Sequence, residues 1–472
     1  MLHSEVLWWC ALWLLAAGVT VGVHWRRNQA GSGLLVGYVL TEGLFYLTGA
    51  SMFVFPSADL FMSRDVVLDG FRQCVYGTAA FAVGSIVFAP LFSPSESGLE
   101  TERKSESRGT ARDAGTSSTL SSSRQKTVAH IYLGVGILSY PLLASFIGRL
   151  PSVKAVVSMS QYLVLVGLCL LCWIAWKREN RVRLWVLLAL AFLFPVVTML
   201  TRGFAGYGIR AFLIIAAFVA TLYRPRWHMV ALGTVLVYGG LSLYIGYMSQ
   251  RGELRDAVWG GSGYGARWEQ VNDIASKAEW FTPTDPTHVG PVVGRLNLSY
   301  HVGIATNYVG ANRDYAGGAT LWQATTAVIP RALWPSKPPV AGSQDLVSTY
   351  TGLTFAPGTS VGVGHVLEWY INFGTWGVVF GFLLFGALVT TIDIRASCYL
   401  ERGNVQRFAL WFLPGTAFLN VGGQFAALTS SFIAGWIAVW GINTFLVPIL
   451  LEELQSPSRS LQDSSSHRFH RQ

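Results

Sequence analysis

The sequence predicts an all-α polytopic membrane protein, and three observations lead there. Of 472 residues, 52% are hydrophobic and 12% charged, against about 25% charged in an average soluble domain; mean hydropathy is +0.42. Apolar runs of about 18 residues or more recur, long enough to cross a hydrocarbon core of roughly 30 Å as helices. The polar residues between those runs are basic in clusters. The net charge of +9 would point to nucleic acid in a soluble chain. In a membrane protein it reflects basic loops beside anionic headgroups, and no nucleic-acid partner is expected.

Periodicity and hydropathy place about eleven spans, near 5–23, 32–55, 71–93, 128–149, 155–176, 184–200, 207–223, 229–248, 366–393, 407–427 and 431–451. The basic flanks "HWRRN" (24–28), "KRENRVR" (177–183), "RPRWH" (224–228) and "RASCYLERGN" (395–404) all alternate to one side. By the positive-inside bias that side is cytoplasmic. The N-terminus is then outside and the C-terminus inside. The first apolar run has its positive charges after it, so it reads as an anchor and not as a cleaved signal.

The expected organisation is therefore three transmembrane helices in 1–93, a disordered cytoplasmic linker in 94–126 and five more helices in 127–249. An extracytoplasmic loop follows in 250–365, then three helices in 366–451 and a disordered cytoplasmic tail in 452–472. The linker and tail are Ser-rich and nearly free of large apolar residues, which leaves them no core to build. The loop carries short apolar stretches, "LSYHVGIATNYVG" and "ATLWQATTAVI". These are too short to span and read as amphipathic or re-entrant helices. A loop this long with structure of its own is usually functional.

The five cysteines lie in or beside apolar runs, so no disulfide framework follows; Cys169 and Cys172 read as helix packing. There is no P-loop, no H-E-x-x-H and no Asp-rich metal motif. Chemistry is expected on the external side, with no metal and no cofactor. "TRGFAGYGIR" (201–210) places Arg202 and Arg210 in a short external turn, against the positive-inside bias. Guanidinium groups there can grip phosphate oxygens in bidentate fashion, or bind lipid headgroups, or pair with loop carboxylates. The loop adds Arg251, Arg255, Arg267, Lys277, Arg295, Arg313, Arg331 and Lys337.

"VIPRALWPSKP" (328–338) holds Arg331 and Lys337 among prolines that forbid a regular helix. Trp334 suits a membrane interface. The segment either presents its two cations to an anionic group or is a rigid turn anchored by tryptophan. "GHVLEWYINFG" opens the ninth span, with Glu368 and Asn372 four apart on one helical face. Glu368 can orient an arginine or accept a proton from a hydroxyl; His365 and His301 are further possible bases. Glu42 sits deep in "LLVGYVLTEGLFYLTG", a costly place without a partner, and its role stays open.

"VIPRALWPSKP", followed by "EWYINFGTWGVVFGFLLFG" and preceded by "TRGFAGYGIR", resembles the Wzy-type O-antigen (oligosaccharide repeat unit) polymerases, most closely over about 200–390. The resemblance implies a GT-C-like helical bundle at the cytoplasmic membrane. It implies a metal-independent glycosyltransferase that joins undecaprenyl-diphosphate-linked oligosaccharides into O-antigen, exopolysaccharide or capsule. Membrane lipids, a chain-length regulator and a flippase would be its partners. Arg331, Glu368 and His365 would then be catalytic. Arg202, Arg210, Arg295, Lys337, Trp334 and Asn372 would bind substrate. Arginines would stabilise the leaving diphosphate, and Glu368 or His365 would assist the acceptor hydroxyl. An O-antigen ligase uses the same donor and is the nearest alternative. A transporter of lipid-linked glycans would place polar groups at the midplane on broken helices, where this sequence offers Glu42, Asn420 and Gln424.

Overall fold

The computed structural model describes residues 2–26, 31–92, 117–146, 151–223, 227–329, 334, 336–356 and 359–452. The linker up to residue 116, the tail beyond 452 and Arg331 lie outside them. The described residues are helical, with one isolated bridge between Val309 and Arg313 and no sheet. In chain order the helices are α1 (Leu2–Arg26), α2 (Leu34–Val54), α3 (Arg64–Phe88), α4 (Ser117–Phe146), α5 (Ala155–Lys177), α6 (Arg181–Arg202), α7 (Gly206–Tyr223) and α8 (Trp227–Trp259). They continue with α9 (Tyr264–Ser276), α10 (Pro286–Arg295), α11 (Ser299–Tyr308), α12 (Ala319–Ala327), α13 (Ser343–Thr351), α14 (His365–Glu401), α15 (Val405–Gly415) and α16 (Phe425–Glu452).

Among the described residues, α1, α2, α3, α5, α6, α7, α14 and α16 are long and apolar enough to cross a membrane. The chain is a membrane-embedded helical protein. α1 leaves Leu7, Trp8, Leu14 and Leu15 exposed, as a lipid-facing helix does. The expected spans at 128–149 and 229–248 lie on α4 and α8, which are helical but stand outside this set of eight. α4 starts at Ser117, inside the stretch read as a disordered linker. Its first turns are tied down: Arg178 donates to the Ser122 hydroxyl at 2.7 Å, and Gln125 to the Gly403 carbonyl at 3.1 Å.

Those bonds gather three of the basic segments at one end of the bundle. Asp393 closes the same end. Its Oδ1 accepts from the Ser32 hydroxyl at 2.7 Å and the Leu34 N–H at 2.8 Å, and its Oδ2 lies 3.3 Å from His24 Nε2. A carboxylate on the first N–H of α2 satisfies an orphan donor and opposes the positive end of the helix dipole. At the other end Arg72 bridges Glu5 and Asp69, and Ser57 donates to the Pro283 carbonyl at 2.9 Å. The described residues of 250–363 pack in from this loop end.

Glycines set the closest helix contacts. A Cβ on Gly70 of α3 would come within 2.6 Å of Gly303 N in α11, and one on Gly386 of α14 within 3.0 Å of Phe81 Cα. Small residues let backbones approach where lipid offers no competing hydrophobic drive. The "LSYHVGIATNYVG" stretch, expected to form a short helix, contains α11, with Ser299, Val302, Gly303 and Ala305 buried and its backbone close against α3.

Two expected spans are corrected. α14 is not one straight helix. Phe373 (φ −144°, ψ 20°) and Gly374 (φ 63°, ψ −153°) leave helical space, and the chain reverses there. The His365 and Phe385 rings are 5.1 Å apart, and a Cβ on Gly381 would meet Trp369 Cε3 at 2.7 Å. Residues 365–372 thus run antiparallel along the start of the long arm, as a re-entrant half-helix. The expected span 407–427 is also broken. α15 tightens into a 3₁₀ turn at Thr416–Leu419, the chain turns at 420–424, and α16 returns beside α15. Asn443 donates to the Gln406 carbonyl at 3.1 Å, and the Phe418 and Phe432 rings are 5.4 Å apart. The first break is at Phe373–Gly374 and the second turns through "VGGQF" (421–425); "VGVGH" (361–365) is the glycine-rich lead into the short arm. The lead and the second turn meet, joined by Val363 N–H donating to the Gly422 carbonyl at 3.0 Å.

Candidate functional site

The loop end carries the arginines. α6 ends at Arg202 because Gly203 (φ 73°) turns the chain back, and α7 starts three residues later. Arg202 donates to Gln161 Oε1 and stands 5.1 Å over the Tyr207 ring. Arg210 donates to the Tyr162 hydroxyl and lies 5.4 Å over its ring. Gln161 and Tyr162 sit at the turn that interrupts α5. Between these elements is a small cleft of about 20 Å³, lined by Gln161, Tyr162, Phe194, Thr198, Arg202 and Tyr207 among others.

The ends of α8 and α10 add a second group. Arg255 stacks 4.2 Å over the Phe204 ring, beside the α6–α7 turn. Arg251 lies one helical turn away. Burial pushes its guanidinium down from its ordinary value, and the positive charges of Arg295 and Arg255 act in the same direction. Three guanidinium groups therefore crowd one region, flanked by Tyr244 and Tyr247. Like charges held together are unfavourable until an anion joins them. Arg267 is occupied differently, donating to the Leu200 and Ser262 carbonyls at 3.1 and 2.8 Å.

Arg295 links this cluster to the re-entrant segment, donating to the Ser360 carbonyl at 3.3 Å. The chain then runs inward through buried Val361 and Val363, and Gly364 (φ 83°) opens the half-helix at His365. The His365 ring is fully enclosed. Its Nδ1 is 3.3 Å from the Tyr38 hydroxyl, and it stacks on Phe425 at 5.5 Å. Glu368, 1% exposed, accepts the Phe425 N–H on Oε2 at 2.6 Å, so it caps the buried N-terminus of α16. Asn372 uses both ends of its amide. Oδ1 accepts from Gly318 N–H at 2.9 Å, and Nδ2 donates to the Thr320 hydroxyl at 2.7 Å and the Glu368 carbonyl at 2.6 Å. His301 stands beside this joint, with Nδ1 3.2 Å from the Gly362 carbonyl; burial lowers its imidazole from the ordinary value.

The site residues expected from sequence thus fall into separate groups. His365, Glu368 and Asn372 meet in the joint between the re-entrant arm, α12 and α16. Arg202 and Arg210 meet across the turn in α5. Arg295 belongs with Arg251 and Arg255, and reaches the joint only through Ser360. Lys337 is 8% exposed, with Nζ 3.0 Å from the Ala327 and Ile329 carbonyls, a cation at the C-terminal end of α12. Trp334 is half-buried, and its carbonyl accepts the Lys337 N–H at 3.2 Å.

The sequence reading did not assign Gln161, Tyr162, Tyr38 or Phe425, and it counted Arg251 and Arg255 among the loop cations without placing them in the site. The first four carry no charge and belong to other segments of the chain. For Phe425 the signal was indirect, the glycine pair of "VGGQF" inside an apolar run; the other three had none. No curated protein and no solved structure matches the chain. A family model does match over residues 116–448, from the start of α4 into α16, and the chain belongs to that family, described as Domain of unknown function (DUF8712).

Proposed function

We propose that the chain is a metal-independent glycosyltransferase that polymerises lipid-diphosphate-linked oligosaccharide repeat units at the loop end. On this reading that end faces the outside of the cytoplasmic membrane. The observation that carries the reading is the gathering of Arg251, Arg255 and Arg295 on α8 and α10 beside the Arg202 cleft. An acceptor hydroxyl attacks the anomeric carbon of the donor sugar, the glycosidic bond to phosphate breaks, and a lipid diphosphate leaves with the bonding pair. Preformed guanidinium groups suit that leaving charge, because it develops in the transition state. The motif resemblance around 328–338 and 368–386 adds Arg331 to the same set. Glu368 and His365 are enclosed, and in this reading they position the segment whose Ser360 carbonyl holds Arg295.

The test is the gel profile of surface polysaccharide from a deletion strain complemented with wild type, Arg295→Ala or Arg331→Ala. Wild type restores a ladder. The variants lower polymerisation on the order of 100-fold, the usual effect of removing one preorganised charge-stabilising donor, and leave a single-repeat band. Full-length polymer stranded on the lipid carrier would instead make the enzyme a ligase. The helix break at Phe373–Gly374 and the turn at 420–424 favour a second reading, a transporter of the same lipid-linked glycans. In that case the deletion strain loses the single-repeat band as well. An unchanged ladder overturns both.

A further inference from the structure

Neither the arginine groups nor the joint at His365 involves Glu42. Its side chain lies in the middle of α2 and is fully enclosed. Oε1 accepts the Thr78 hydroxyl at 3.2 Å and lies 3.9 Å from Cys74 Sγ, while Oε2 has no hydrogen-bond partner among the described residues. The neighbouring elements present Cys74 and Thr78 from α3, Tyr38 and Tyr46 from its own helix, and Trp13 from α1, whose ring packs on Gly43. His365 of α14 reaches the same cluster through the Tyr38 hydroxyl. None of the ion pairs among the described residues includes Glu42.

We propose that Glu42 is a proton-binding site that controls the contact between α2 and α3. An ionised carboxylate here would be a charge without a counter-charge in an apolar interior, with one oxygen bare. A proton on Oε2 removes that charge and lets the two helices stay closed over it. The backbone is built to respond. Directly after Glu42, α2 widens into a π turn at Gly43–Leu47, and α3 has its own π turn at Gly84–Phe88. Such single-turn π insertions in α-helices lie frequently at functional sites. When the proton leaves Oε2 for water, the carboxylate left behind needs hydration, which it reaches by parting α2 from α3. The Cys74 thiol is then uncovered. This inference does not depend on the glycan reading.

The test uses full-length protein in detergent or liposomes, with Cys10, Cys169, Cys172 and Cys398 replaced by Ala so that Cys74 is the only thiol. Its rate of alkylation by a small maleimide is followed against pH, with and without Glu42→Gln. Thiol ionisation raises the rate in both, so the ratio of the two rates isolates Glu42. The expected result is a ratio that climbs at least tenfold as pH rises through the release of the proton, while the E42Q protein shows only the thiol's own dependence. Thr78→Val removes a hydrogen bond to the carboxylate and is expected to move the rise upward by about one pH unit; it also serves if E42Q fails to fold. Infrared difference spectra give a second readout, a protonated carboxylic acid band at neutral pH that is sensitive to deuterium and absent from E42Q. Superimposable rate profiles for the two proteins, a rise unmoved by Thr78→Val, or no such band, overturn the proposal.

Discussion

His301 sets out the residue scale, because its environment makes a signed prediction. The imidazole packs edge-on against Phe355 and is lowered by burial from 6.5. Above pH 6.5 the ring is neutral in both folded and unfolded chains, and stability does not change through it. Below 6.5 the unfolded chain takes up a proton that the folded chain refuses, so stability falls with pH until the folded value is reached. Thermal unfolding in detergent is therefore expected to drop between pH 7.5 and 5, and to drop less in His301→Gln. An equal drop in both proteins would assign the acid sensitivity to other groups. Single residues were legible in the sequence in proportion to how far their role depends on type alone. The guanidinium groups were found because charge on a membrane loop is conspicuous. Lys337 and Asn372 were equally conspicuous, but most of their partners are backbone groups, among them the Ala327 carbonyl of α12 and the Gly318 N–H before it. No spacing rule shows which carbonyl or N–H a loop will deliver.

At the scale of elements, Gly374 decides what α14 is. A continuous helix over 366–393 would gain about 1 kcal/mol from Gly→Ala, since glycine is the poorer helix former. In the re-entrant hairpin Gly374 has φ 63° and ψ −153°, a region that residues with a Cβ occupy only under strain of roughly 1–3 kcal/mol. Gly374→Ala is therefore expected to destabilise the protein by about 2 kcal/mol, read as a lower midpoint in thermal or denaturant unfolding. A stabilised variant would restore the single helix. The opposite signs explain why the hairpin was hidden. Hydropathy reports whether a residue avoids water, and it carries no direction. Both arms of α14 are apolar, the short one buried and the long one with Trp376, Phe380 and Leu384 on an exposed face, so residues 366–393 read as one run. The glycine that breaks it at 374 looks like a packing glycine, of which this chain has many. Helix existence was legible for the same reason that continuity was not: an apolar stretch of membrane length must form a helix, whatever angle it takes to its neighbour.

For the whole molecule, the two ends differ in kind, and that difference is testable. At one end the contacts of His24 with Asp393, Gln125 with Gly403 and Arg178 with Ser122 collect basic segments from distant parts of the chain. At the other, α8 and α10 carry the arginine cluster beside the Arg202 cleft. The alternation of basic flanks along the sequence made this division legible, because charge bias acts loop by loop and survives errors in counting spans. The arrangement of α9 to α13 was not legible, since short helices in a long loop are placed by contacts with α3, α14 and α16 and not by their own pattern. If the basic end is cytoplasmic, a cysteine at exposed Ala266 in α9 will react with a membrane-impermeant maleimide in intact cells. A cysteine at exposed Arg402 will react only after the membrane is opened. In a cysteine-free background the two positions are expected to differ by tenfold or more in labelling. The reverse pattern would turn the molecule over and put the arginines on the cytoplasmic face. An enzyme acting on lipid-linked glycans outside the cell could not then use them, and the proposed chemistry would fall with the orientation.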